Sequence, residues 1–305
     1  MAPVQPGSVK RTITRHYNRA ADYDRVGQFL VRTYATAGSH INWLQPRWEY
    51  MHYHPLIKGV DLATIGVWEA NGRIVGVVHP ERLGTAYFEV DPAYLHLKGE
   101  MLAFAEQHLS VATDRGKALR VYINDADAAF QDVAAALGYQ KSGGTEPMSC
   151  LAVSSAPAPV SLPAGFRLKS LADDNDLRKV ARVLWRGFNH EGDPPEEDME
   201  ERRCMQSAPS FRRDLNVVVQ APGGDLVSYC GMWYEPVHRI AMVEPVATDP
   251  DYRRRGLGRA AVLEGVRRCA ERGATVAYVG SAQPFYQSMG FRQVYNCSIW
   301  RREWA

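Results

Sequence analysis

Cysteine is sparse and unpatterned in this chain. Cys150, Cys204, Cys230, Cys269 and Cys297 are scattered, odd in number, and no two fall in a Cys-x-x-Cys spacing. That argues against a disulfide framework or a zinc site and fits a reduced cytosol. No stretch reaches the roughly 18 apolar residues that span a bilayer, and the first residues carry no apolar signal core. A cytoplasmic protein with no membrane partner is expected. The nine histidines show no H-E-x-x-H or similar ligand spacing, so no metal is expected. Neither sign of charge dominates. A net charge of +2 gives no global field toward nucleic acid. Lysine is rare too, only seven of the 36 basic residues, which reads as genome composition rather than function.

What is present is enough for full cores. The 305 residues are 46% hydrophobic and 23% charged, the profile of a globular protein of about two domains. The stretch "SSAPAPVSLPAG" from Ser154 suits no helix or strand and reads as a linker. The division it suggests is 1–153, a linker 154–164, and 165–305.

The two halves repeat one layout. "TITRHY" and "FRLKSL" each read as a strand. Helical patterns follow, with Val26, Phe29, Leu30 and Tyr34 on one face, then Leu177, Val180, Leu184 and Phe188. Hairpins come next, around Asn71-Gly72 and Gly223-Gly224. Each half then has an Asp-Pro-x-Tyr element, a helix (Gly99–Leu109 or Leu257–Arg272), a strand ("ALRVYI" or "TVAYVG"), and an aromatic close. Such agreement in order and spacing predicts a tandem duplication of an α/β unit of about 150 residues.

The second copy carries the chemistry. A strand, Met242–Ala247, leads through Asp249-Pro250 into Arg253-Arg254-Arg255-Gly256-Leu257-Gly258-Arg259 and a helix. Gly256 and Gly258 have no Cβ, so a ligand can approach the backbone. The first turn of a helix leaves N–H groups unpaired, and its dipole favours an anion such as pyrophosphate. Arg253, Arg254, Arg255 and Arg259 add charge around that point. No Gly-Lys-Ser/Thr follows, so this is not a Walker loop. Ala261 stands where a dinucleotide fold would want its third glycine.

Arg-x-x-Gly-x-Gly between a strand and a helix resembles the fingerprint of the GNAT acetyltransferase superfamily. "FYQSMGF", about 30 residues on, resembles that superfamily's Phe-Tyr-x-x-x-Gly-Phe signature. The resemblance covers 165–305. It implies two tandem GNAT domains of α/β (α+β) class, each a mixed, mostly antiparallel sheet flanked by helices. It also implies acetyl-CoA as co-substrate. Backbone amides from Arg254, Arg255, Gly256, Leu257, Gly258 and Arg259 would cradle the pyrophosphate. Val246, Ala247 and Thr248 would meet the pantetheine arm and acetyl carbonyl, and Tyr286 would be the acid for the departing thiolate. A base is needed because the attacking amine must lose a proton. Glu244 either fills that role or is a strand-end glutamate paired with an arginine. Glu235 and His238 are weaker candidates beside a turn.

The first copy lacks these features. Leu95, Lys98 and Glu100 stand where the second has Arg253, Gly256 and Gly258, and Ala134 takes the place of Tyr286. It resembles a degenerate GNAT domain that kept the fold, a plan similar to that of the mycothiol synthases. The aromatic segment His40–Pro55 either lines a cleft or interface, or is a helix packed on a sheet. Between His190 and Glu201, seven of twelve residues are acidic. Glu191 or Asp193 could hold an ammonium group. Alternatively, Asp193-Pro194-Pro195-Glu196 simply starts a helix as cap, first-turn proline and capping-box glutamate.

The expectation is an N-acetyltransferase acting on a primary amine of a small polar molecule, by direct attack in a ternary complex, as a monomer or homodimer. A peptide or protein amine, or a non-catalytic acyl-CoA sensor, is the alternative.

Overall fold

The computed structural model describes residues 12–37, 42–153 and 160–305. Most of the expected linker, 154–159, and His40 and Ile41 of the aromatic segment lie outside the described residues. The chain begins β1 (Ile13–His16), α1 (Arg19–Ala37), α2 (Gln45–Tyr53), β2 (Gly66–Ala70), β3 (Arg73–His79) and β4 (Thr85–Val90). It continues with α3 (Lys98–His108), β5 (Val111–Thr113), β6 (Gly116–Asn124), α4 (Ala128–Ala136) and β7 (Gln140–Ala152). The later half holds β8 (Arg167–Ser170), α5 (Leu177–Gly187), α6 (Glu197–Gln206), β9 (Val217–Gln220), β10 (Leu226–Glu235) and β11 (Ile240–Thr248). It ends with α7 (Leu257–Glu271), β12 (Val276–Val279), α8 (Pro284–Gln287) and β13 (Arg292–Trp304). Among the described residues no helix is long and apolar enough to cross a membrane.

The residues form two compact units, and their edges differ from the division at the linker. One unit comprises 1–44, 59–144 and 298–305; the other comprises 45–58 and 145–297. Strands β7 and β13 are each 13 residues long, so each begins in one unit and ends in the other. Helix α2, from the first half of the sequence, belongs to the second unit.

Within each unit the sheet has the same plan. In the first, β1, β2, β3 and β4 pair antiparallel in sequence order and β4 pairs parallel with β6. In the second, β8, β9, β10 and β11 do the same and β11 pairs parallel with β12. The Asn71-Gly72 turn has φ of 52° and 74°, the left-handed pair a two-residue hairpin requires. Apolar faces meet on the sheets. Trp68, Val78, Leu102 and Leu119 fill the first core; Val227, Val243, Ala261 and Phe291 fill the second. On α5, Val180 and Leu184 are buried as the periodicity predicts. Phe188 is not: the helix stops at Gly187, and Phe188 is 52% exposed.

The Asp-Pro-x-Tyr elements begin in the same way, although the first runs to Leu97 and the second stops at Tyr252. Asp91 and Asp249 each accept a hydrogen bond from the amide two residues on, capping a 3₁₀ turn with proline in its first turn. Their own N–H groups donate to Val75 on β3 and Val227 on β10.

Candidate active site

The site of the second unit is built around the end of β11. Its ladder with β10 runs from Glu235↔Ile240 to Met232↔Val243, then resumes at Cys230↔Val246. Gly231 therefore faces two residues, Glu244 and Pro245, in a β-bulge. The glycine is required: a Cβ there would lie 2.3 Å from the Glu244 carbonyl oxygen. The same oxygen accepts the Trp233 indole N–H at 3.1 Å. Gly231 inside one strand and Pro245 inside the other are the sequence signals that mark this bulge.

On its other edge β11 pairs with β12 only over Ile240–Met242. Beyond Met242 the two strands part. Alternate residues of a strand turn their amides to opposite sides. Asp249 donates toward β10, so Ala247 shares that side, while Val246 and Thr248 turn theirs to the open edge. The Ser228 hydroxyl lies 2.9 Å from that of Thr248 and 3.1 Å from the Ala247 carbonyl oxygen.

The glycine turn leads straight into α7. Arg254 and Gly256 are left-handed, with φ of 61° and 78°. Gly256 is the N-cap and no side chain caps the helix, so the amides of Leu257, Gly258 and Arg259 open outward. The two glycines serve different ends. A Cβ on Gly256 would meet open space, and its need is conformational. A Cβ on Gly258 would lie 2.9 Å from the Thr248 hydroxyl oxygen and 3.4 Å from the Phe285 ring, so Gly258 lets the helix start directly over the strand end. Among the described residues the side chains of Arg254 and Arg259 have no hydrogen-bond partner. Arg255 leans over the Tyr252 ring at 5.3 Å. Arg253 points away from the turn, toward the end of α5: its guanidinium donates to Thr248 O, Gly187 O and Asn189 Oδ1.

Tyr286 sits on α8, buried, with the rings of Phe285 and Phe291 edge-on at 4.9 and 5.8 Å. Burial pushes its hydroxyl well above the usual tyrosine range, and the fields of Cys230 and Glu244 push it further. The hydroxyl thus keeps its proton. Burial likewise pushes the Cys230 thiol far up, with Cys269 and Glu244 adding to it. Tyr286, Cys230 and Glu244 are close enough to act on one another electrostatically, which the sequence pattern alone could not place. Of the weaker base candidates, Glu235 accepts from the N–H groups of Val237 and His238 in the turn and is committed there.

Helix α2 packs on this unit, a placement that sequence order hides. Glu49, 1% exposed, accepts the Ser210 N–H at 2.5 Å. Arg47 pairs with Glu146 at 2.6 Å and Lys58 with Glu201 at 2.9 Å. The Tyr50 ring lies edge-on to Trp233 at 5.9 Å, and Phe211 lies edge-on at 5.8 Å. Through the Trp233 indole this aromatic group reaches the Glu244 peptide.

The acidic segment is less organised than its composition suggests. Glu191 and Asp193 are exposed, and Asp193 lies 3.8 Å from Arg182. Among the described residues no hydrogen bond or ion pair joins either to Glu244 or Tyr286. The expected helix start at Asp193-Pro194 is not seen: α6 begins at Glu197, and Glu196 pairs with Arg178 instead of closing a capping box. Pro195 is the reason, since the residue before a proline is driven out of the helical region.

The first unit has a different arrangement at each of these points. Its 3₁₀ turn runs into α3 through Leu97 in right-handed conformation, with no glycine turn. Lys98 pairs with Asp127. Glu100 accepts from the Trp68 indole at 2.7 Å and the Thr14 hydroxyl at 2.9 Å. Strands β3 and β4 pair without a bulge from Gly76↔Val90 to His79↔Tyr87. Where β4 and β6 part, Tyr87 stacks on Tyr122 at 4.3 Å, with Trp43 against Tyr87 and His79.

Comparison with known proteins agrees with this geometry. Residues 177–291 match the Acetyltransferase (GNAT) family. A mycothiol acetyltransferase of Saccharomonospora viridis is 26% identical over 244 residues, 74% of this chain and 78% of that protein. Among solved structures, a GCN5-related N-acetyltransferase from Sphaerobacter thermophilus superposes with a TM-score of 0.67 at 16% identity, covering 96% of this chain and 95% of that one. A tandem GNAT protein from the clavulanic acid biosynthesis pathway gives 0.64 at 16% identity, covering 96% and 98%. With the repeated sheet plan and the strand–glycine turn–helix of the second unit, residues 177–291 are thus similar to the GNAT acetyltransferases, and the fold of the chain is that of the GNAT structures it superposes on.

Proposed function

We propose that the second unit moves an acetyl group from acetyl-CoA to the primary amine of a small polar molecule, by direct attack in a ternary complex. The observation that carries this reading is the uncapped start of α7 set over the open end of β11, with Tyr286 buried beside it. The amides of Leu257, Gly258 and Arg259, with Arg254 and Arg259 nearby, suit a pyrophosphate. The open-edge amides of Val246 and Thr248, flanking Ala247, suit the pantetheine arm and the acetyl carbonyl.

In the reaction, Glu244, directly or through a water, takes a proton from the amine. The amine nitrogen bonds to the acetyl carbon and the carbon–sulfur bond breaks. Tyr286 gives its proton to the leaving thiolate and is restored from solvent. A protonated Tyr286 is what that last role needs. Cys230 is disfavoured as an acyl carrier, because only a thiolate attacks and burial keeps this thiol protonated. Resemblance to a protein named a mycothiol acetyltransferase favours a small-molecule acceptor over a protein one. The free cysteines and the absence of a long apolar helix among the described residues favour the cytoplasm. With Lys98, Glu100 and Ala134 at the matching places, the first unit serves as scaffold and binds no acetyl-CoA.

Steady-state release of coenzyme A across a panel of small amines and short peptides tests the reading. Turnover with small amines supports it. Turnover with peptides alone moves the acceptor class. Tight acetyl-CoA binding without turnover on any amine would overturn it in favour of a sensor.

A further inference from the structure

Arg253 opens the Arg-x-x-Gly-x-Gly run, where its charge was expected beside the phosphates. Its side chain goes elsewhere. The Nε donates to Thr248 O at 3.1 Å, and one terminal nitrogen donates to Gly187 O at 2.9 Å and Asn189 Oδ1 at 2.7 Å. These acceptors come from two elements: the last residue of β11, and the end of α5 with the loop after it. Asn189 is itself left-handed, with φ of 66°.

A second arginine joins the same two elements. Arg186, in the last turn of α5, donates to both oxygens of Asp249 at 2.5 and 3.1 Å, and to Asp251 at 2.7 Å. Asp249 is 1% exposed. Burial works against its charge, yet Arg186 holds the carboxyl below its usual range. Between the two arginines the backbones touch. A Cβ on Gly187 would lie 2.6 Å from the Ala247 Cβ and 3.0 Å from the Thr248 nitrogen. Among the described residues the first unit has neither link. Leu95 replaces Arg253 and is 45% exposed. Arg32, at the matching place on α1, donates to Ile74 O.

We propose that Arg253 and Arg186 are positioning residues, a two-arginine clamp holding the end of α5 against the end of β11, and that Arg253 acts on the pantetheine end of the site rather than on the phosphates. The carbonyls at a helix C-terminus and a strand end form a negative spot that a guanidinium satisfies. With both links closed, the amides of Val246 and Thr248 are held at fixed positions. The loop Phe188–Asp193, which contains the acids singled out for an ammonium group, is tied to the same point. This inference rests on the acetyl-CoA reading of the site.

The test separates clamp from phosphate contact with two ligands: acetyl-CoA, and S-acetylpantetheine, which has the same thioester and arm but no pyrophosphate. Calorimetry gives both affinities for wild type, Arg253→Met, Arg253→Lys and Arg254→Met, with thermal denaturation to confirm folding. A clamp predicts that Arg253→Met weakens both ligands by a similar factor, about ten-fold. Arg253→Lys, able to make only part of the fork, falls between for both. Arg254→Met, next to the turn, weakens acetyl-CoA alone. If Arg253→Met does not fold, Asn189→Ala removes one link and should weaken both ligands by a smaller, equal factor. A loss confined to acetyl-CoA, or no loss, overturns the clamp. If the wild-type protein binds neither ligand, the acetyl-CoA reading fails, and the clamp with it.

Discussion

Replacing Gly231 with alanine should damage both stability and turnover, by amounts that follow from one contact. The new methyl would lie 2.3 Å from the Glu244 carbonyl oxygen and 3.0 Å from Pro245 Cδ. A carbon and a carbonyl oxygen rest about 3.3 Å apart at closest, so the carbonyl must retreat by about 1 Å. The obstacle is backbone, which cannot swing aside. Retreat also takes the oxygen out of reach of the Trp233 indole, now at 3.1 Å. Overpacking costs about 1–3 kcal/mol, and the lost hydrogen bond about 1 kcal/mol, together roughly 2–4 kcal/mol. The side chain of Glu244, the proposed base, is carried on the displaced peptide, and a shift of about 1 Å in a reacting group costs about 100-fold in rate. Thermal denaturation and steady-state coenzyme A release measure the two effects. Gly223→Ala is the control, since a methyl there meets nothing within 4 Å. A Gly231→Ala protein with wild-type melting temperature and wild-type turnover would refute the reasoning about the bulge.

Three further outcomes follow from the site and its surroundings. Tyr286→Phe should lower turnover by about 100-fold or more while leaving acetyl-CoA affinity nearly intact; unchanged turnover would remove the acid from Tyr286. Burial raises the hydroxyls of Tyr139, Tyr229 and Tyr286. Unfolded tyrosines ionise near pH 10, so their share of stability should be complete below about pH 10 and lost as pH climbs past it. A melting temperature flat from pH 8 to 11 would contradict this. A thiol reagent at pH 8 should modify exposed Cys204 quickly in the native protein. It should reach Cys230 and Cys269 only on unfolding, since both are buried and burial pushes the Cys269 thiol up to about 12. Rapid native labelling of Cys230 would reopen the question of an acyl-thiol intermediate.

Local chemistry was readable wherever neighbours in sequence decide the conformation. The Asp-Pro-x-Tyr caps, the Asn71-Gly72 hairpin and the start of α7 at Leu257 all stand where the residue pattern puts them. The start of α6 was misread although its cause, Pro195 after Pro194, lies in the sequence. Phe188 fits the helical period but is exposed, because α5 ends one residue earlier. The aromatic segment around Trp48 gave its burial but not its place. Nothing local to Glu49 says that Ser210, 161 residues away, supplies its hydrogen bond.

The sequence by itself determined the repeated layout of its main strands and helices, though not β5, β7 or β13, and the glycine turn with its downstream tyrosine, because periodicity, turn residues and caps act over a few residues. Only the tertiary structure decided the rest. It assigned α2 to the second unit and divided β7 and β13 between units. It turned Arg253 from the phosphate turn to the end of α5, and it brought Glu244, Cys230 and Tyr286 within one another's fields. Each of those depends on which distant backbone a side chain meets, a matter of packing between elements rather than of spacing along the chain.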